Sequence, residues 1–182
     1  HCVLVMHTNA RDQNGTDLIA VKEAICPDYK VIFSEARVNQ AELNYLYNLS
    51  DVTINIAGNE GFGLTTAESL MAETPIIVQV TGGLQDQCGF QHDGEYLNAD
   101  DYIKIGSVHE YRKWEDKLDY GSWVKPVWPR VQTMAGSLPT PYIIDDKVDI
   151  PEVAETIKEW YDTSKIDRLD AGKAGREFML GD

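Results

Sequence analysis

Short runs of hydrophobic residues alternate with amphipathic stretches along the first half of the chain. The hydrophobic runs predict strands at 2–7, 30–33, 52–57 and 75–80. Between them, hydrophobic residues recur every three or four positions, which is typical of helices. The predicted helices lie at 16–25, 39–50 and 64–73. Strands that alternate with helices of about ten residues indicate βαβ units and a parallel sheet.

The predicted strands are hydrophobic at almost every position. Such strands are typical of parallel sheets whose two faces are both covered by helices. The predicted fold class is therefore α/β, with a Rossmann-like parallel sheet and helices on both faces. Leu18 and Ile25 lie on the predicted buried side of the helix at 16–25. Either Thr16 or Asp17 can cap its N-terminus.

The alternating pattern ends after Gly83. Residues 84–141 are rich in Gly, Asp, Pro and aromatic residues, and they predict an irregular insertion. Connections of this length are usually functional loops or small subdomains. Aromatic rings can stack on sugars or pack in a core, and packing is the favoured interpretation. The aromatic residues in question are Tyr111, Trp114, Tyr120, Trp123 and Trp128.

Two further helices are predicted at the end of the chain, over 149–162 and 165–180. Pro151 suits the first turn of the earlier one. The predicted organisation is a single domain over 1–182. Its parts are a βαβ core (1–83), the irregular insertion (84–141) and C-terminal helices (142–182).

Composition and charge narrow the possible partners. The chain carries 30 acidic and 16 basic residues, a net charge of −14, and no cluster of Lys and Arg. A surface this negative repels nucleic acid, so we expect no nucleic-acid partner. No hydrophobic run approaches the roughly 20 residues of a membrane-spanning helix, so we expect no membrane span. Cys2, Cys26 and Cys88 are widely spaced, which favours free thiols and a cytoplasmic location.

Three loops rich in Gly, Asn and Thr follow predicted strands. They are 7–15, 57–63 and 81–86. Because ligands of open parallel sheets bind outside the carboxyl ends of the strands, we expect these loops to converge on a ligand. The acidic pairs Asp100–Asp101 and Asp145–Asp146 are instead typical of turns or helix caps.

The second of these loops continues into a helix through the sequence "NEGFGLTTAESLMAETP" (59–75). Gly61 and Gly63 permit a tight entry into the helix. The first amides of a helix, here at 64–66, have no partner within it and can bind an anion. This turn therefore predicts a phosphate site.

Two glutamates, Glu60 and Glu68, flank the turn. Leu64 and Met71 are predicted to form a hydrophobic stripe beside Glu68. Helical side chains lean toward the N-terminus, so the Glu68 carboxylate is predicted to return toward Glu60. The pair could accept hydrogen bonds from sugar or ribose hydroxyls while a phosphate binds the amides. The alternative is a favourable interaction with the helix dipole, worth about 0.3–1 kcal/mol.

The same stretch resembles a known signature. The sequence "EGFGLTTAESLMAETPIIV" (60–78) is similar to the motif of retaining glycosyltransferases with the GT-B fold, the group 1 or family 4-like enzymes that include glycogen synthase and sucrose synthase. The sequences "AELNYLYNLSDVTINIA" (41–57) and "TGG" (81–83) match the same family. The resemblance covers about residues 1–86. It implies that the chain is the C-terminal, donor-binding half of a GT-B fold.

The resemblance also implies roles for particular residues. Glu60 corresponds to the catalytic glutamate beside the donor sugar, and Glu68 to the glutamate that binds the ribose hydroxyls. Helix amides would bind the sugar or diphosphate, the two loop glycines would line the sugar pocket, and the loop after the second strand would approach the base. Arg11 and Arg37 are candidates to replace the Arg and Lys with which the family binds the diphosphate. The further donor-binding residues are Gly61, Phe62, Gly63, Leu64, Thr65, Gly82, Gly83, Arg37, Val38 and Arg11.

The implied reaction is glycosyl transfer from a nucleotide-diphosphate sugar with retention at the anomeric carbon. The chain contains no Asp-x-Asp motif, and the resemblance implies neither a metal nor another cofactor. The implied acceptor is a saccharide, lipid or protein. The family's N-terminal acceptor domain and its cationic clamp lie before the matching region, so we expect this chain alone to be inactive. Glu73 and Thr74 also depart from the family, which has x-Gly there.

Two other functions remain open at this stage. One is a nucleotide-sugar-binding module without activity, and the other is a GT-B sugar-nucleotide epimerase. A dehydrogenase is disfavoured because no Gly-x-Gly-x-x-Gly follows the first strand.

Overall fold

The structure is a computed structural model that describes residues 2–13, 15–105, 113–136, 138–140 and 142–181. The chain divides into two compact units, His1–Ala41 and Glu42–Asp182. Tyr111, one of the aromatic residues of the predicted insertion, lies outside the described residues.

The first unit contains a βαβ arrangement, as the hydrophobic pattern predicted. Strand β1 (Leu4–Met6) pairs in parallel with β2 (Val31–Phe33), and helix α1 (Leu18–Ile25) lies between them in sequence. Of the two possible caps, Asp17 is the one used, because its carboxylate accepts the Ala20 amide at 3.0 Å.

Burial in the first unit differs from the prediction. Leu4 of β1 is 49% exposed and Ile25 of α1 is 76% exposed. The expectation that helices cover both faces of the strand is therefore wrong for β1. Two three-residue strands and one short helix do not provide enough surface to bury both faces.

Three parallel strands form the sheet of the second unit. Strand β4 (Ile76–Gln79) lies between β3 (Thr53–Asn55) and β7 (Val124–Val127). Helix α2 (Gln40–Leu49) precedes β3, and α3 (Leu64–Met71) connects β3 to β4. Every residue of β4 is buried, as expected for a strand covered on both faces. The α/β class with parallel strands is thus confirmed, and it is consistent with a Rossmann-like fold.

Strand β7 lies within the segment that was predicted to be irregular. It contains Pro126, and a proline inside a short hydrophobic run argues against a strand. The strand forms because β7 is at the edge of its sheet, where a missing amide donor is tolerated. The prediction of irregular structure is therefore wrong for Val124–Val127.

Other short elements follow β4. The acidic pair Asp100–Asp101 lies in the first turn of a helix, as predicted, whereas Asp145–Asp146 lies within a strand, so the prediction of a turn or cap is wrong for that pair. These elements are the 3-10 turns Gly82–Leu84, Asp86–Cys88 and Glu115–Lys117, strands β5 (Gln91–His92) and β6 (Glu95–Tyr96), helix α4 (Ala99–Ile105), and strands β8 (Val131–Ala135) and β9 (Ile143–Lys147). Strands β5 and β6 form one antiparallel hairpin, and β8 and β9 form another.

The two C-terminal helices match their predicted positions. Helix α5 (Ile150–Asp162) has Pro151 in its first turn, and α6 (Lys165–Leu180) is capped by Ser164, whose hydroxyl accepts the Asp167 amide. Among the described residues, no helix has both the length and the hydrophobicity that crossing a bilayer requires.

Helix α6 approaches the end of α3 through glycines. A Cβ at Gly172 would lie 1.8 Å from the Glu73 carbonyl oxygen, and one at Gly175 would lie 2.8 Å from Leu70 Cδ2. Glycine is therefore required for the backbones to come this close. Glu73 itself has a φ of 62°, which is in the left-handed region.

The tryptophans of the segment after β4 contribute to the core. Trp123 stacks on Phe178 of α6 with ring centroids 4.6 Å apart, and Trp128 lies 5.4 Å from the Phe90 ring. Both tryptophans are buried, so the packing interpretation is confirmed for them.

Candidate functional site

The glycine turn before α3 enters the helix through a left-handed backbone conformation. Gly63 is the N-cap and has a φ of 88°, which only glycine adopts readily. The first bond of the helix runs from the Ala67 amide to the Gly63 carbonyl oxygen at 3.0 Å. The amides of Leu64 and Thr65 precede that bond, so they point out of the helix end. Together with the helix dipole they favour negative charge there.

The turn is held by the glycines that follow β4. The Gly83 amide donates to the Glu60 carbonyl oxygen at 3.0 Å. A Cβ at Gly82 would lie 2.0 Å from that same oxygen, and one at Gly83 would lie 2.4 Å from the Gly61 carbonyl oxygen. The backbones of the two loops are therefore in direct contact. The loops at 57–63 and 81–86 therefore adjoin one another, and their convergence on a ligand stays a prediction.

Gln87 supports the same turn, and sequence reasoning missed it. Its side-chain Nε2 donates to the carbonyl oxygens of Phe62 at 2.6 Å and of Gly63 at 3.0 Å. Gln87 is 2% exposed, and it follows the Gly82–Leu84 turn in a second 3-10 turn. A single glutamine in a stretch without periodicity carries no signal that would identify it from sequence.

The β8–β9 hairpin contacts the other side of the loop. The Asp146 amide donates to the Gly58 carbonyl oxygen at 3.0 Å, and Asn59 Nδ2 donates to the Ile144 carbonyl oxygen at 2.7 Å. The buried carboxylate of Asp146 accepts the Thr81 hydroxyl at 2.8 Å. Asp146 thus links the loops after β3 and β4, a role that its position in an acidic pair did not predict.

The two glutamates have different surroundings. Glu60 is half-buried within the turn. Glu68 is exposed on α3, and its Oε2 accepts the Tyr47 hydroxyl of α2 at 2.8 Å. Burial and the adjoining Glu68 carboxylate raise the pKa of the Tyr47 hydroxyl. The Glu68 carboxylate is therefore oriented by a residue of α2 that sequence reasoning did not select.

The hydrophobic stripe predicted on α3 does not face the core. Leu64 is 68% exposed, whereas Thr66 and Ser69 are fully buried. Both hydroxyls are hydrogen-bonded to nearby backbone: Thr66 Oγ1 donates to the Gly63 carbonyl oxygen, and Ser69 Oγ donates to the Thr74 carbonyl oxygen. Leu64 and Met71 are therefore exposed, and the packed side of α3 is formed by Thr66, Ala67, Ser69 and Leu70. Leu64, Thr65 and Phe62 are consequently exposed at the mouth of the helix.

The three remaining candidates lie in the first unit. Arg11 is exposed, and its Nε lies 3.1 Å from Asp17 Oδ2. Arg37 is exposed and Val38 half-buried in the loop after β2. The contacts predicted between these three residues and a donor remain predictions.

The loops after β1 and β2 meet within the first unit. His7 Nδ1 is hydrogen-bonded to Ser34 Oγ at 3.0 Å, and the Ala10 amide donates to Glu35 Oε1 at 2.9 Å. In the described ranges, no group of three or more His, Cys, Asp or Glu side chains could hold a metal ion.

Comparison with known proteins gives a partial similarity to a glycosyltransferase-like class of enzyme. No family model matches the chain. Trehalose synthases from Thermococcus litoralis and Pyrococcus furiosus are each 35% identical to it over 60 residues. The aligned region is 33% of this chain and 15% of each relative, so the similarity extends over a small part of those enzymes.

Proposed function

We propose that this chain forms the donor site of a retaining glycosyltransferase with the GT-B fold, and that the mouth of α3 binds the diphosphate of a nucleotide sugar. The observation that carries the proposal is the glycine turn at 60–63. Its backbone is held against Gly82 and Gly83, and the amides of Leu64 and Thr65 follow it. The partial similarity to trehalose synthases supports a function related to glycosyl transfer.

In this proposal the amides at the mouth of α3 stabilise the negative charge that develops on the departing diphosphate. Donors that are already oriented by the fold need no rearrangement during the reaction, which makes them effective. Glu60, within the turn, would contact the donor sugar, and the backbone of Gly82 and Gly83 would line the sugar pocket. Glu68 accepts hydrogen bonds from the ribose, with Tyr47 orienting its carboxylate.

The experiment that tests the proposal is calorimetric titration of the chain with UDP, GDP and ADP and with their sugar conjugates. We expect one nucleotide to bind. Glu68→Ala should weaken that binding by about 1–3 kcal/mol, because a hydrogen bond to a charged group is lost. Glu155→Ala, which removes the same charge from an exposed position on α5, serves as the matched control and should bind normally.

Two outcomes would contradict the proposal. Failure of the chain to bind any of the three nucleotides would remove the donor site. Equal losses in Glu68→Ala and Glu155→Ala would show that net charge, and not a contact with the ribose, determines the affinity.

A further inference from the structure

The side chain of Gln87 acts as a hydrogen-bond donor to the turn that precedes α3. Its Nε2 is 2.6 Å from the Phe62 carbonyl oxygen and 3.0 Å from the Gly63 carbonyl oxygen. The Gly63 carbonyl also accepts the Thr66 hydroxyl and the Ala67 amide. The Phe62 carbonyl precedes the helix and takes no part in its internal bonding, so the bond from Gln87 matters most there.

The orientation of the Gln87 amide is determined by these two acceptors. If the amide were turned around, its oxygen would face two carbonyl oxygens. In the observed orientation Oε1 is buried and has no hydrogen-bond partner among the described residues. A buried acceptor without a partner lowers stability, and a hydrophobic side chain of similar size would avoid that cost. Gln87 therefore does more than fill space.

The two bonds also fix the direction of neighbouring amide groups. A peptide unit is planar and trans, so its N–H points away from its C=O. Holding the Phe62 carbonyl consequently orients the Gly63 N–H, and holding the Gly63 carbonyl orients the Leu64 N–H. These are the amides that the resemblance places on the sugar or diphosphate.

Gln87 is itself anchored to the core. Its carbonyl oxygen accepts Trp123 Nε1 at 2.9 Å, and Trp123 stacks on Phe178 of α6. A Cβ at Gly63 would lie 3.0 Å from Gln87 Nε2 and 2.5 Å from Leu84 Cδ2, so the turn fits closely against this support. The turn is thus connected to the packed core through the side chains of Gln87 and Leu84.

We infer that Gln87 is a positioning residue for the donor, which holds the peptide units of Phe62 and Gly63 so that the amides of Gly63 and Leu64 face the diphosphate. The inference rests on the proposed function, since it concerns the same site. Gln87 does not touch the donor, and it acts through the backbone that does.

Two substitutions test this role. Gln87→Met keeps the length of the side chain and removes the donor, so nucleotide affinity should fall about tenfold, the effect of one hydrogen bond in a misaligned site. The thermal midpoint should change little, because the loss of the donor to the Phe62 carbonyl is offset by removal of the unpaired Oε1. Gln79→Met is the matched control, since Gln79 is fully buried on β4 and neither of its side-chain polar atoms has a partner among the described residues. That variant should bind nucleotide with the affinity of the wild type.

Gln87→Glu adds a readout that a space-filling role would not change. Burial beside two carbonyl oxygens raises the pKa of a carboxyl group, and its neutral form can donate one hydrogen bond. Nucleotide affinity, taken relative to the wild type at the same pH, should be reduced at pH 8 and should recover toward pH 5. The amide resonances of Gly63 and Leu64 should shift with the same pH dependence.

Three results would overturn the inference. One is wild-type affinity in Gln87→Met, and another is a relative affinity of Gln87→Glu that does not change with pH. If Gln87→Met does not fold, Gln87→Glu at low pH decides alone. The third result is failure of the wild type to bind any nucleotide, which overturns the inference together with the proposed function. When the wild type binds normally, either of the first two results overturns the inference alone.

Discussion

Replacing Gly83 by alanine should move the turn at the proposed donor site. A Cβ at this position would lie 2.4 Å from the Gly61 carbonyl oxygen and 2.6 Å from the Phe62 Cα. Both neighbours are backbone atoms, so neither can rotate away. An ordinary contact requires a separation near 3.5 Å, and the two loops must therefore separate by about 1 Å. That movement also strains the bond from the Gly83 amide to the Glu60 carbonyl oxygen.

The geometry sets the size of the effect. Overpacking of this kind costs about 1–3 kcal/mol of the free energy of unfolding. For a chain of this length, each 1 kcal/mol lowers the melting temperature by about 2–4 °C. A misplacement of about 1 Å at a reacting group can reduce turnover about 100-fold. We expect nucleotide affinity to fall at least about tenfold, because the amides at the mouth of α3 move with the turn.

Urea denaturation followed by tryptophan fluorescence measures the loss of stability. The four tryptophans all lie in the second unit, so the signal reports the unit that contains Gly83. Calorimetric titration below the melting temperature measures affinity. Gly61→Ala is the stability control, since no heavy atom of the part of the chain that the structure describes would lie within 4 Å of a Cβ there. Gly172→Ala is the affinity control. Its Cβ would clash with the Glu73 carbonyl oxygen at the far end of α3, so the variant should be less stable but should bind nucleotide as the wild type does.

Two outcomes would refute this reasoning. If Gly83→Ala unfolds at the same urea concentration as the wild type, the steric argument is wrong. If it is destabilised but binds nucleotide normally, the turn is not at the binding site.

Three other predictions concern stability. Arg130 donates to both carboxylate oxygens of Glu115 and of Glu152 at 2.7–2.8 Å. Lysine cannot form these paired bonds, so Arg130→Lys should lower the free energy of unfolding by about 1–2 kcal/mol in urea denaturation. An unchanged midpoint would contradict this prediction. Glu73 has a φ of 62°, so Glu73→Gly should relieve backbone strain and raise the free energy of unfolding by about 1 kcal/mol in the same assay. The exposed contact with Arg176 is lost as well and contributes less than this gain. A variant that is less stable than the wild type would show that the argument is wrong. Burial, together with Glu68, raises the pKa of Tyr47 above its ordinary value of 10.0. The protonated Tyr47 hydroxyl therefore contributes to stability in full below pH 10. This contribution is lost as the pH rises further, by at most about 1.4 kcal/mol per pH unit. Thermal melts between pH 9 and pH 11 should therefore show a smaller decline in Tyr47→Phe than in the wild type, and parallel declines would exclude Tyr47 as a cause.

Local patterns were sufficient to predict many of the elements. The hydrophobic spacing located helices α1 to α3 and strands β1 to β4, it placed α5 and α6 close to their observed bounds, and Pro151 marked the start of α5. The glycines of the turn before α3 indicated a tight entry into the helix, which Gly63 makes with a left-handed backbone. These features depend on residues that are near one another in the chain, so the sequence contains their determinants directly.

The errors occurred where distant residues decide. Strand β7 was missed because Pro126 is acceptable only at a sheet edge, and the position of a strand in its sheet is a property of the whole unit. The burial of Thr66 and Ser69 on α3 was not predicted for a different reason: their hydroxyls find acceptors three and five positions away, which makes these polar residues compatible with burial. Hydrophobic spacing alone cannot anticipate that compensation.

The sequence by itself determined the α/β class with parallel strands, the glycine turn and the two candidate glutamates, because dihedral preferences, hydrophobic spacing and a recognisable motif are all local. Only the tertiary structure decided what holds those groups in place: Gln87 beneath the turn, Asp146 between two loops, and Tyr47 on Glu68. The partners in these contacts are between 21 and 88 positions apart in the chain. Hydrogen bonds over such separations form only when the packed core brings their elements together, and no pattern along the chain records them.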